Sequence, residues 1–126
     1  MRYSADGRLD SAFGDGGIQR TPIGEGMRVS AALRDGDGNV LVVASGNTSV
    51  QLARYDREGR PDASFGSNGA INTAVDKSVA TAAGLAIDAK GLPVVAAASV
   101  SGVFLLRYNR EGPVAKSFHS IPNLHP

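Results

Sequence analysis

The chain has no cysteine and no tryptophan. The first absence excludes disulfides and thiolate metal centres but leaves the compartment open, because a cysteine-free protein is at home inside or outside a cell. Large apolar side chains are scarce: there are four Phe and three Tyr in 126 residues, and the hydrophobic fraction is carried mostly by Ala and Val. Neither sign of charge predominates. Thirteen basic and twelve acidic residues are interspersed for a net charge of +1, so no single-sign face is offered to a phosphate backbone or an anionic membrane, and nucleic acid is not an expected partner. Long apolar runs are missing as well. The longest, Leu92 to Ala98, is too short to span a bilayer. Met1 leads into the first repeat without a charged-then-apolar leader, which sets the expectation of a cytoplasmic protein or of a piece that lacks its export signal.

What the chain does have is glycine, sixteen in all, and a repeat. Arg54 to Gly69 (RYDREGRPDASFGSNG) has a near copy at Arg2 to Gly17 (RYSADGRLDSAFGDGG), and a third copy opens at Arg107 as RYNREG before it degrades. Tyr3, Tyr55 and Tyr108 stand 52 and 53 residues apart. Self-similarity at such a period marks an array in which neighbouring units bury each other's faces. The repeated side chains are Arg2/Tyr3, Arg54/Tyr55 and Arg107/Tyr108, then Asp10 and Asp62, Phe13-Gly14 and Phe65-Gly66. Each Asp is expected to accept backbone amides in an Asx turn, each Arg to pair with that Asp or cover apolar surface, and each Phe to plug the gap between sheets. Gly7, Gly59 and Gly112 supply positive φ in the turns.

Between these copies the pattern is strand-like. Val50 to Tyr55 and Val103 to Tyr108 read as strands, as do Ala70 to Val75 and its earlier equivalent Ile18 to Ile23, in which Pro22 suggests an edge. Two apolar segments per unit follow, Val29–Leu33 with Val40–Ala44 and Val79–Ile87 with Leu92–Val100, each pair joined by a polar turn. Unbroken runs such as Val40–Ala44 and Val94–Ala98 imply burial on both faces. The alanines of Ser78 to Lys90 favour helix by propensity, but the repeat and Gly84 argue for strand. About four strands per unit give an all-β, β-propeller-like chain of about two four-stranded blades with partial units at both ends. The divisions are a partial unit 1–27, a full unit 28–79, a second unit 80–112 and a divergent tail 113–126.

No catalytic residue, metal ligand or cofactor is assigned. There is no G-x-S-x-G elbow, and the only histidines, His119 and His125, lie in the Pro-rich tail without a third ligand. Gly24-Glu25-Gly26 is too short for a phosphate-binding fingerprint. Asp35-Gly-Asp37-Gly-Asn39 resembles the first half of a calcium loop, but Val40 follows and Gly46 stands where a bidentate Glu belongs, so a hairpin turn is the better reading. Asp35, Asp37, Asn39 and Asp88 remain the only clustered candidates for binding.

The segments RYDREGRPDASFGSNGAI and RYSADGRLDSAFGDGGI are similar to the delta-60 type repeat found in tandem in bacterial, often surface-associated, proteins. The resemblance covers nearly all of residues 1–112 and implies a propeller-like fold and a cell-surface or secreted setting, with no known reaction. The tail departs from it, with Ala115 opposite Asp62 and His119 opposite Gly66, and reads as an irregular cap or docking arm. At about 2.4 units the chain is short of the 4 to 8 blades of a closed propeller, so the expected partner is a further copy, three chains giving six blades, and the expected role is a non-catalytic scaffold that binds a protein or glycan. The alternatives are a metal-dependent hydrolase or lactonase of propeller type, with Asp35, Asp37 and Asp88 as its carboxylates, and a structural fragment of a longer surface array.

Overall fold

A computed structural model describes residues 1–21, 23, 26–46, 49–74 and 81–109, and the backbone of 119–121. All described regular structure is β. The strands are β1 (Arg28–Arg34), β2 (Val40–Gly46), β3 (Ser49–Tyr55), β4 (Ala70–Ala74), β5 (Thr81–Ile87), β6 (Pro93–Ser99), β7 (Gly102–Arg107) and the three-residue β8 (His119–Ile121). They form two antiparallel sheets of sequential order, β1-β2-β3-β4 and β5-β6-β7-β8. The segment whose alanines favour helix is strand from Thr81 to Ile87, with a register shift between Ala82 and Gly84. The same irregularity stands between Val29 and Ala31 in the first sheet.

Alternation along each strand sends residues to opposite faces. One face of the first sheet carries Leu41, Val43, Val50 and Leu52, each no more than 1% exposed. It packs on the face of the second sheet that carries Ala82, Val95, Ala97, Leu106 and Tyr108, and Phe65 closes the same cluster. β1 and β2 lie against β5, where the Ala82 amide donates to Ser45 Oγ at 2.8 Å. Small residues on the second sheet let the two backbones approach closely, so the core is built from modest side chains and no Trp is needed.

The two outer faces differ from this. On the first sheet Val29, Val40, Val42, Ala44, Ala53 and Tyr55 point away from the core toward residues 1–23. On the second sheet Val94, Ala96 and Val103 are half-buried and Leu105 is 39% exposed. The burial on both faces that the run Val94–Ala98 implies is therefore reached on one face only.

Residues 18–23 differ from the strand expected there. Ile18 makes a single bridge to Asp15, and no ladder continues beyond it. The reason is the lack of a neighbour: Ala70–Ala74 becomes a strand by pairing with β3, whereas no described strand lies beside residues 19–21. Pro22, residues 75–80, Gly112 and most of the tail lie outside the described residues. Within the tail, β8 adds to the edge of β7 through the pairs Val103↔Ile121 and Leu105↔His119, so this part is a strand and not an irregular cap.

Leu52 and Leu105 are repeat equivalents on faces of unlike burial, which makes a direct comparison. In dilute solution Leu52→Ala is expected to lower unfolding free energy by about 2–5 kcal/mol and Leu105→Ala by less than about 1 kcal/mol, read from urea titrations.

Candidate functional site

The two 16-residue copies fold alike, hydrogen bond for hydrogen bond. Asp10 N donates to Arg2 O as Asp62 N does to Arg54 O, Phe13 N to Asp10 O as Phe65 N to Asp62 O, and Gly17 N to Phe13 O as Gly69 N to Phe65 O. The carboxylates serve these turns. Asp10 Oδ1 accepts the Ala12 amide at 3.0 Å, Asp62 Oδ1 accepts the Ser64 amide at 3.0 Å, and both pair with their arginines: Arg2 Nη2 lies 2.8 Å from Asp10 Oδ2, and Arg54 Nε 3.1 Å from Asp62 Oδ2. The guanidinium groups also lie over Phe13 and Phe65, at 4.9 and 5.7 Å from the ring centroids. Arg–Asp–Phe is thus one stacked module, in which the cation neutralises the turn carboxylate and covers the aromatic ring.

The first module is docked on the next unit. Gly14 N donates to Glu58 O, Arg2 Nη1 donates to Arg57 O at 2.6 Å, and the Phe13 ring lies against Gly59. A Cβ on Gly59 would meet that ring at 2.6 Å, and its φ of 79° is one that L side chains avoid, so glycine is required here twice over. The hydroxyl of each later repeat tyrosine reaches a threonine of the unit before it: Tyr55 OH bonds Thr21 Oγ1, and Tyr108 OH lies 2.9 Å from Thr73 Oγ1. Burial raises the Tyr108 pKa above its ordinary value. Neither threonine was singled out by sequence reasoning, although Thr21 and Thr73 share the 52-residue spacing and could have been found by it.

The predicted binding residues fall at two separate turns. Asp35, Asp37 and Asn39 share the β1–β2 turn, while Asp88 occupies the matching β5–β6 turn. Asp35 Oδ1 accepts the amides of Asp37 and Asn39 at 2.9 and 3.0 Å, and Oδ2 accepts Asn39 Nδ2 at 3.1 Å. Asp88 Oδ1 accepts the amides of Lys90 and Leu92 at 2.8 and 2.9 Å. These carboxylates are turn-formers, and among the described residues no three His, Cys, Asp or Glu are grouped to hold a metal ion. Arg107, whose repeat partner would have been Ala115, lies 3.9 Å from Asp88 instead.

Two concavities flank the docked module. A polar cleft of about 400 Å³ lies beside the β1–β2 turn, where Arg2, Arg34 and Arg57 stand around Asp35. Arg57 Nε donates to Asp37 O at 2.9 Å, so the cleft wall is itself tied to the turn. The second, an apolar hollow of about 260 Å³, is lined on one side by Val40, Val42 and Ala44 of the first sheet and on the other by Met1 and Ile23. Alternation in β2 could have indicated the hollow, since Val40–Ala44 presents apolar groups to both sides. A scan against protein-family models, a search of curated proteins and a search of solved structures find no match to this chain.

The turn carboxylates set a pH dependence. The Ser64 hydroxyl and amide and the Arg54 charge hold Asp62 below the usual carboxylate range, and the Leu92 and Lys90 amides with Arg107 do the same for Asp88. A depressed folded-state pKa gives stability that is present above the unfolded value of about 3.9 and is lost as pH falls through the folded value. The urea midpoint is expected to hold from neutral pH to about pH 5 and to drop below about pH 4. In Asp62→Asn/Asp88→Asn the drop is smaller and the neutral-pH midpoint is lower.

Proposed function

We propose that the chain is a non-catalytic β-scaffold whose two sheets act as propeller-like blades and whose ring is completed by further copies of itself. One observation carries the reading: burial of each repeat tyrosine follows how much of a preceding unit covers it. Tyr108, packed against a whole sheet, is fully buried; Tyr55, beside Met1, Phe13, Thr21 and Ile23, is half-buried; Tyr3, with no described sheet packed on it, is 58% exposed. Such a dependence on neighbours is what a stacked array of repeats produces. The repeated polar groups form turns, which leaves stacking and surface recognition as the roles supported by the described side chains. The arginine-lined cleft suits a protein segment bearing carboxylates, whereas a glycan would find no Trp to stack on.

Light scattering tests the reading. The purified protein at micromolar concentration is expected at a multiple of the chain mass of 12.9 kDa, with three chains supplying six blades. A folded species at the single-chain mass across the concentration range would refute it.

A further inference from the structure

The internal joint between the sheets shows what each outer face lacks. Shifted by 53 residues, Leu41, Val43, Val50 and Leu52 become Val94, Ala96, Val103 and Leu105. The first four are the buried side of the joint, and the second four are the outer face of the second sheet, half-buried at Val94, Ala96 and Val103 and exposed at Leu105. Shifted back by the same period, the receiving residues Ala82, Val95, Ala97, Leu106 and Tyr108 become Val29, Val42, Ala44, Ala53 and Tyr55, which line the apolar hollow. The docked module supplies there what Phe65 and β4 supply inside, since Phe13 and Thr21 are their repeat equivalents. Among the described residues no sheet stands above the hollow.

We infer that the hollow on the first sheet receives the outer face of the second sheet of another copy, head to tail, with Leu105 and Val103 entering where Leu52 and Val50 enter the internal joint. The contact is heterologous and apolar, continues the stacking already present inside one chain, and so repeats from copy to copy until the ring closes. Residues 19–21 then meet the β7 edge as β4 meets β3. β8 holds that edge in the single chain through Val103 and Leu105, and yields it when the joint forms. This inference rests on the scaffold reading and adds which two faces meet.

The internal contact of Ser45 with Ala82 gives the test, because its counterpart between copies is Ala98 with Val29. Both are exposed, on opposite outer faces of the chain, and the chain has no cysteine of its own. Ala98→Cys and Val29→Cys proteins are treated with a short bismaleimide separately and as an equal mixture. The mixture is expected to give a covalent dimer at least tenfold above either protein alone, and the double variant a ladder of multiples. Leu105→Arg in the Ala98→Cys chain is expected to cut the mixed dimer at least tenfold. No enriched dimer in the mixture, while scattering still reports oligomers, overturns the assignment of faces and leaves the scaffold reading standing. Equal cross-linking of each single variant alone means a two-fold contact and also overturns it. An unchanged yield with Leu105→Arg does the same. A single-chain mass throughout removes both readings.

Discussion

The structure depends on one apolar joint, the packing of Leu41, Val43, Val50 and Leu52 on Ala82, Val95, Ala97, Leu106 and Tyr108. A four-stranded sheet with two apolar faces cannot satisfy itself, and each sheet here has two. Joining the sheets covers one face of each with contacting faces that differ: Leu41, Val43, Val50 and Leu52 on the first sheet, and two alanines, a valine, a leucine and a tyrosine on the second. Met1, Phe13, Thr21 and Ile23 lie beside the outer face of the first sheet, and the Tyr55–Thr21 hydroxyl contact ties this segment to it.

The Arg–Asp–Phe module is the fastener of this arrangement. Its carboxylate shapes a turn and its guanidinium neutralises the carboxylate and covers the ring, and in the first copy the Phe13 ring presses on Gly59. Exposed ion pairs of this sort contribute little individually, so the module's value is geometric: it sets the distance between one sheet's loops and the next. Arg54 and Asp62, both 19% exposed, are the better-covered version of Arg2 and Asp10, at 40% and 31%, in keeping with the fuller neighbourhood of the second copy.

Much of this was legible in the residues. The 52- and 53-residue spacing of the tyrosines located the units, and Asp35 and Asp88 marked the hairpin turns, because a repeat imposes equal structure on equal positions. Two strand features were not legible. Ile18–Ile23 has strand composition but residues 18–21 form no ladder, since a strand is a property of the pair and no described strand lies beside them. The apolar run Val94–Ala98 has the composition of a doubly covered strand, yet composition reports the capacity for burial and not the presence of what covers it. The arginine cleft was also hidden, because Arg2, Arg34 and Arg57 meet only once the first module is laid on the turn of the second unit.

These two failures have one cause. The residues that misled, on the one side a segment with no described pair and on the other a face only partly covered, are repeat equivalents of residues that are paired and covered inside the same chain. Along the outer face of the second sheet the β7 residues match their internal counterparts, Val103 for Val50 and Leu105 for Leu52, while β6 is trimmed, with Val94 for Leu41 and Ala96 for Val43. Trimming lowers the apolar area shown to water, and the retained valine and leucine keep the shape that fits between two sheets. A face with no use for that shape could carry polar residues at Val103 and Leu105 without loss to the core, because their neighbours Phe104 and Leu106 supply the burial on the other side of the strand. Apolar side chains at these two positions therefore contribute less to the core of one chain than their repeat equivalents Val50 and Leu52 do.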